Sequence, residues 1–424
     1  MAQTLDVGHL RALFQDFAFF LHEPEQLTTK DTEDTKNLHD GRAVLAFYGR
    51  ATRQGAMENM LRQPTWHRGW RELMCERILR APDKLQPSEA TFRVGLIGTG
   101  RVARRHLYGY RKTRKATVVA AADPDAKQRG KAQSRFRIAN VYSAFRDMLR
   151  RERLDIVSVC APPRFHLPAV LAAAEAGVKA VLCEKPIALN LQEADEMIRA
   201  CRARGVMLVI GHQRRFAPQH QYAKALLEQK TIGELRHVLA ECPPDILRAG
   251  IHSIDLLLDR LGPLTRVTAS LSNGRGGGAR GPEEASLSYQ SGDRDSWVYL
   301  EFANGLQATL RVDARSSLDA KMTFLGDNGV MEVWTDGGLR YRRSQDQSWT
   351  IPAMKLNPYL DDFYLEIDSV LCALSSNSPV AVPGEAGRNS LEAVLAILTA
   401  NRDGRSVSLP LAENSIARST LDAA

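Results

Sequence analysis

The 424-residue chain lacks any uncharged apolar run of the roughly 18 residues that a membrane-spanning helix needs, so a transmembrane role is not expected. Its start, MAQTLDVGHLRALFQDFAFFLHEPEQ, has one short apolar stretch. Acidic residues surround that stretch and no small-residue cleavage site follows, which argues against a signal peptide and for a cytoplasmic protein. Paired cysteines are lacking as well. Cys75, Cys160, Cys183, Cys201, Cys242 and Cys372 stand far apart, with no C-x-x-C pair and no zinc-like spacing. Cys160 and Cys183 fall inside apolar strand-like runs, where free cysteine acts as a small hydrophobe, and reduced thiols fit the cytosol. The formal charge of +8 comes partly from Arg111-Lys112-Thr113-Arg114-Lys115 and Arg150-Arg151-Glu152-Arg153, yet these clusters have no interleaved aromatics and belong to no nucleic-acid module. They read as solvated helix ends and loops, so no nucleic-acid partner is expected.

With 44% apolar and 25% charged residues, the composition is that of a soluble globular protein, and the length allows two or three domains. Residues 1–90 show helical periodicity (Leu10, Leu13, Phe14, Phe17; later Met57, Met60, Leu61) and no strand-like run. Tyr48, Trp66, Trp70 and Met74 point to a packed face, and this helical extension has no assigned role. From Phe92 the runs FRVGLIG, TVVAAAD, IANVY, DIVSVCAPP, KAVLCEKP and VMLVIGH alternate with helix-like segments. That alternation predicts an α/β domain at 91–212, a doubly wound parallel Rossmann sheet covered on both faces. One of its helices opens at Asn190 with a capping box to Glu193. Beyond it, helices at about 218–229 and 246–260 precede the short strands TRVTASLS, SWVYLEF, LQATLRVDA and KMTFLG and the Gly-rich NGRGGGARGP. Two amphipathic helices follow, at about 357–375 and 386–402. Residues 213–424 therefore read as an α+β domain with a largely antiparallel open sheet.

Three motifs carry chemistry. Gly98-Thr99-Gly100-Arg101-Val102-Ala103 directly follows the strand RVGLI, and Asp123 closes the next strand. Alone G-x-G-x-x-A is a weak signal; between strand and helix, with the acid in place, it is a dinucleotide fingerprint. Gly98 permits the tight turn, Gly100 admits the pyrophosphate, Ala103 allows close helix packing, and the helix N-terminus offers amide donors. Asp123 accepts from the ribose 2′-hydroxyl, which favours NAD; Arg101 can partly offset the repulsion of a 2′-phosphate, so NADP stays open. Glu184-Lys185-Pro186 ends the fifth strand, at the edge where open α/β sheets bind ligands. Taken alone, the tripeptide suits a solvated ion pair and a turn; at this edge Lys185 can donate to a substrate hydroxyl, with Pro186 fixing the turn. In Gly250-Ile251-His252-Ser253-Ile254-Asp255-Leu256-Leu257, His252 and Asp255 stand three apart on a helix and can interact. Histidine titrates near neutrality and can accept the proton released when an alcohol is oxidised; a helix-face histidine with a paired aspartate is the bland alternative.

These motifs, with Gly211-His212-Gln213-Arg214-Arg215-Phe216-Ala217-Pro218 and the ending PGEAGRNSLEAVLAILTANRDGRSVSLP, occur in the order and approximate spacing of the Gfo/Idh/MocA oxidoreductases, which the chain resembles over about 92–412. The resemblance implies hydride transfer between a nicotinamide and a hydroxyl carbon of a sugar, cyclitol or related polyol, without a metal. It makes Lys185 the substrate-binding lysine that assists catalysis and His252 the general acid/base. It sets Glu184 on the ribose or nicotinamide side and His212 next to the nicotinamide. Ala161-Pro162-Pro163-Arg164-Phe165-His166 matches the loop bordering the cofactor, with His166 in a structural place. It also implies a homodimer or homotetramer formed through the open sheet face.

One departure stands out. The family commonly has an aspartate four residues before the histidine, and here that residue is Arg248, which cannot act as a base. Asp245, seven residues before His252, returns to the same helical face and can substitute. Alternatively, Arg248 binds an acidic group of the substrate, or dehydrogenase activity is reduced or lost. Two further readings remain beside the dehydrogenase: an NAD-dependent glycosidase of the same fold, and a non-catalytic dinucleotide-binding regulator.

Overall fold

The six apolar runs of the first domain become six strands because each can be covered on both faces. They are β1 (Phe92–Ile97), β2 (Ala116–Ala122), β3 (Asn140–Tyr142), β4 (Ile156–Val159), β5 (Ala180–Cys183) and β6 (Met207–Ile210). In this computed structural model the described residues are 92–242, 246–271, 296–312, 320–335, 337–354 and 359–412. The helical reading of residues 1–90, the Gly-rich linker and Asp245 lie outside them. All pairings in the first sheet are parallel. The order is β3-β2-β1-β4-β5-β6, so the winding reverses between β1 and β4 and opens a crevice at their carboxyl ends. Around the sheet lie α1 (Arg101–Thr113), α2 (Ala126–Ser134), α3 (Phe145–Arg151), α4 (His166–Glu175) and α5 (Leu191–Ala203). The Asn190 side chain accepts from the Glu193 amide at 2.8 Å, while the Glu193 carboxylate reaches back to the Leu189 amide at 3.2 Å.

The second part opens with α6 (Pro218–Glu228) and β7 (Leu235–Cys242). A π-helical turn (Ile246–Gly250) then leads into α7 (Ile251–Leu261). Strands β8 (Leu264–Ser270), β9 (Ser296–Phe302), β10 (Gln307–Val312), β11 (Lys321–Gly326), β12 (Gly329–Trp334) and β13 (Gly338–Arg343) follow, then α8 (Tyr359–Ser376), α9 (Gly384–Asp403) and β14 (Val407–Ser408). The eight strands order as β13-β12-β11-β7-β10-β9-β8-β14, antiparallel throughout except for β7 beside β10. Sequence periodicity does not reveal β7: Val238, Ala240 and Cys242 point into the core, but the intervening Leu239 is apolar and 43% exposed, which masks the alternation.

Helices α8 and α9 tie the second sheet to the first. Along α8, Asp361 Oδ1 accepts from the Tyr108 hydroxyl and Lys112 Nζ, both at 2.6 Å, and Asp368 pairs with Lys115 at 2.8 Å. The approach is close at Gly109 of α1, where a Cβ would stand 2.6 Å from Ile367 Cδ1 and 3.1 Å from the Phe363 carbonyl oxygen. On α9, a Cβ at Gly387 would stand 2.6 Å from Ile210 Cγ1 of β6. Gly130, in α2, has open space around it. Overpacking of a tight contact costs about 1–3 kcal/mol, whereas replacing an unhindered helical glycine by alanine stabilises by about 0.5–1 kcal/mol. Denaturant unfolding is therefore expected to show Gly109→Val losing stability and Gly130→Ala gaining it; equal effects of the two would contradict the packing described.

Candidate active site

The fingerprint loop is built as its glycines require. Gly98 has φ +84°, and a Cβ there would stand 2.9 Å from the Cys160 carbonyl oxygen and 3.0 Å from the Ala161 amide nitrogen. Thr99 donates its amide at 2.8 Å and its hydroxyl at 2.9 Å to Asp123 Oδ2, and Asp123 Oδ1 accepts from the Asp125 amide at 2.9 Å. At Gly100 a Cβ would meet nothing within 4 Å. The first turn of α1 has no side-chain cap and no acidic residue, so its amides and the positive end of its dipole face the loop. Arg101 is exposed there, Val102 packs on the core and Ala103 is buried. A dinucleotide fits this cradle: amide donors for its pyrophosphate, open space over Gly100, and a fixed carboxylate at the end of β2 for its ribose.

The neighbouring wall comes from the ends of β4 and β5. After Ala161 and Pro162 a short 3₁₀ turn (Pro163–Phe165) leads into His166, which is fully buried. Its Nε2 lies 2.9 Å from the Ala161 carbonyl, and its Nδ1 lies 3.0 and 3.1 Å from the Pro186 and Ile187 carbonyls. His166 thus bridges the two loops. Burial pushes its pKa down, so the neutral ring donates to one side only. Glu184 is buried with both oxygens engaged, Oε1 at 2.9 Å from His106 Nε2 and Oε2 at 3.3 Å from the Lys185 amide. Burial opposes its ionisation, but His106 holds its pKa below the usual carboxylate value. The Lys185–Pro186 peptide is cis, and Lys185 Nζ donates to the backbone carbonyl of Arg248.

Lys185 is thereby brought to the π-helical turn one turn ahead of His252. The position where the resemblance implies an aspartate contributes a main-chain oxygen to the lysine, and the Arg248 side chain is exposed. His252 faces His212 edge-on, with ring centroids 6.0 Å apart. Among the described residues, neither ring nitrogen of the buried His212 has a hydrogen-bond partner, nor does His252 Nδ1. Burial pushes His212 down to about 4 against the pull of Asp255, while burial and then the Lys185 ammonium hold His252 well below the ordinary histidine value. Both rings are neutral near pH 7. The expected pairing of His252 with Asp255 does not occur. Asp255 accepts from Arg215 Nε at 2.7 Å and Nη2 at 2.6 Å and from Ser390 Oγ at 3.1 Å, because its side of α7 packs on the Gln213–Phe216 turn and on α9. His212 Nε2 is 3.7 Å from Asp255 Oδ1.

Sequence reasoning missed His106 and Glu366. The signal for His106 was a polar residue within the buried stripe Ala103, His106, Leu107, Tyr110 of α1. Glu366 on α8 is fully buried, and among the described residues neither carboxyl oxygen has a hydrogen-bond partner. Burial, then Glu184, Asp362 and Asp255, push its pKa well above the usual value, so it is protonated.

Residues 92–212 match the family model described as an oxidoreductase family, NAD-binding Rossmann fold, and residues 246–409 match that family's C-terminal alpha/beta domain. The chain belongs to the Gfo/Idh/MocA oxidoreductase family. Among relatives of this Gfo/Idh/MocA protein, the uncharacterized oxidoreductase YrbE of Bacillus subtilis is 30% identical over 233 residues, 51% of this chain and 65% of that protein. D-apiose dehydrogenase of Paraburkholderia graminis is 35% identical over 37% of this chain and 43% of its own length, so both of these matches span less than two thirds of the relative. Myo-inositol 2-dehydrogenase of Thermotoga maritima is 27% identical over 75% of this chain and 98% of its own length. Levoglucosan dehydrogenase, solved with NADH and L-sorbose, is similar in fold, with a TM-score of 0.67 at 20% identity over 76% of this chain and 100% of that one.

The state of Glu366 has a consequence for stability. Below pH about 4.5, the ordinary glutamate value, Glu366 holds a proton in both the folded and the unfolded chain. Above it, the unfolded chain ionises while the folded one stays protonated, so stability falls by up to about 1.4 kcal/mol per pH unit until the folded pKa is reached. Glu366→Gln removes that slope: in denaturant titrations from pH 4 to 8 its stability relative to wild type is expected to climb with pH, and a pH-independent difference would contradict a buried neutral carboxyl.

Proposed function

We propose that the protein is an NAD(P)-dependent oxidoreductase that transfers hydride between the nicotinamide and a hydroxyl carbon of a sugar, cyclitol or related polyol. In this reading residues 91–212 bind the dinucleotide and residues 213–424 the substrate. The observation that carries it is the meeting of Lys185, at the carboxyl edge of the nucleotide sheet, with the turn that leads into a neutral His252. The names of relatives, for myo-inositol and D-apiose, support the substrate class.

When bound, the nicotinamide would take the hydride from the substrate carbon. The Lys185 ammonium donates a hydrogen bond to the substrate hydroxyl and stabilises the negative charge that develops on its oxygen. His252, neutral beforehand, takes the hydroxyl proton onto its ring. Its conjugate acid is disfavoured by burial and by the cation beside it, so the proton is released to water, to which the partly exposed His252 has access. Asp123 would hold the ribose of the bound dinucleotide, and the amides around Gly98 to Val102 its pyrophosphate. Ala161, Pro162 and His212 would line the nicotinamide side, with His166 keeping the two loops in register. Arg248, exposed beside Lys185, offers a bidentate contact to an acidic group on the substrate. Asp255 serves as the anchor of Arg215 rather than as a proton acceptor.

Absorbance at the reduced-nicotinamide band, followed with NAD or NADP and a panel of sugars, cyclitols and their acid derivatives, tests the reading. Growth of the band is expected, and Lys185→Ala and His252→Ala are expected to lower kcat/KM by about 10²–10⁴-fold. Unchanged turnover in both variants would contradict the assignments, and a flat trace with demonstrated cofactor binding would favour the glycosidase or regulator. Arg248→Asp separates the meanings of the departure: better turnover of neutral polyols marks a weakened dehydrogenase, and selective loss with acidic substrates marks an anion-binding arginine.

A further inference from the structure

We propose that His106 is a positioning residue whose imidazolium holds the Glu184 carboxylate, and through it the Lys185 loop, in the arrangement that hydride transfer needs. The functional half of this inference rests on the proposed function; the His106–Glu184 ion pair does not.

His106 is fully buried in the second turn of α1, and its Nε2 stands 2.9 Å from Glu184 Oε1. Its Nδ1 is 3.3 Å from Ser158 Oγ on β4, and Ser158 Oγ is 2.8 Å from the Tyr110 hydroxyl, one turn further along α1. The Phe363 ring of α8 closes the other side, with centroids 5.7 Å apart. A chain of polar contacts thus runs from α1 through β4 to the loop after β5, and ends where Glu184 Oε2 accepts from the Lys185 amide. Gly211 keeps this chain tight, since a Cβ there would stand 3.3 Å from Glu184 Cδ and Oε1.

The charge state follows from the surroundings. A buried carboxylate facing a neutral ring would be an uncompensated charge, costing several kcal/mol. The other acids near Glu184 offer no compensation: Glu366 on α8 keeps its proton, and the Cys160 and Cys183 thiols, after β4 and on β5, have their pKa values raised. The Lys185 ammonium counts in the other direction for Glu184, whereas His166 is held neutral and adds no charge. The proton is therefore retained on the pair. Burial disfavours the charged ring, while the Glu184 carboxylate 2.9 Å away pushes its pKa up. Cys160 is a thiol at neutral pH, its own pKa being raised, so it brings no charge to the ring there.

Nuclear magnetic resonance of full-length protein with isotope-labelled histidine rings reads this directly, with the His106 signals assigned from His106→Gln. In the wild type, without any substrate, the His106 ring is expected to show imidazolium signals at pH 8, and in Glu184→Gln the same ring is expected to become neutral. A neutral ring in the wild type at pH 8, or an imidazolium unaffected by Glu184→Gln, would overturn the pair. Should His106→Gln fail to fold, the signal that changes between wild type and Glu184→Gln identifies the ring. On a polyol found to be turned over, His106→Gln leaves Glu184 buried without its cation, so Glu184 protonates at higher pH. The acid limb of kcat/KM then moves upward, with activity falling about tenfold per pH unit below it, and kcat suffers more than KM. An unmoved limb would reduce His106 to a packing residue. If no polyol is turned over, the proposed function fails while the ring signals still decide the ion pair.

Discussion

Carboxylates taken out of water must find a cation or give up their charge, because an unpaired ion in a protein interior costs several kcal/mol. Four buried carboxyl groups sit around the carboxyl edge of the nucleotide sheet, and each obeys that constraint in its own way. Glu184 meets His106 of α1, Asp255 meets Arg215 of the Gln213–Phe216 turn, and Asp362 of α8 meets Arg214 of the same turn. Glu366, between them, keeps its proton. The elements that form the site are the elements that these pairs join: the fingerprint helix, the loop after β5, the turn after β6, and the helices α7 and α8.

This arrangement explains why the reactive groups are neutral or held at a distance. With Asp255 committed to Arg215, no carboxylate among the described residues props up a charged His252, and Lys185 beside it works against protonation. The ammonium of Lys185 is steadied by the main-chain carbonyl of Arg248. A backbone oxygen carries no titratable charge, and the Arg248 side chain is exposed.

Much of the fold was legible because period and placement agree over long stretches. The strand interiors at 94–97, 118–122 and 156–159 are apolar apart from Ser158, as strands covered on both faces must be, and Gly98, Gly100 and Asp123 fall at strand ends where only a nucleotide loop uses them together. Strand β7 was hidden by Leu239, an apolar residue on an exposed face. The pairing of Asp255 was misjudged for a different reason: spacing along one helix tells which residues can meet, but Arg215 competes from another element, and a bidentate guanidinium contact outbids a neutral imidazole. His106 and Glu366 were silent because local sequence cannot tell a buried polar residue from an exposed one. Their roles come from residues 78 and 182 positions from Glu184, joined only by folding.

The central claim is that a dinucleotide lies along the loop from Gly98 to Val102 and reaches Lys185 and His252. Gly100 offers a clean test, because its φ of −71° suits any residue and a side chain there would enter open space rather than the protein. Calorimetric titration of wild type and Gly100→Leu with NAD measures it. The account predicts saturable one-to-one binding to the wild type and its loss in Gly100→Leu at unchanged thermal stability; equal binding by both proteins, or none by the wild type, would contradict it.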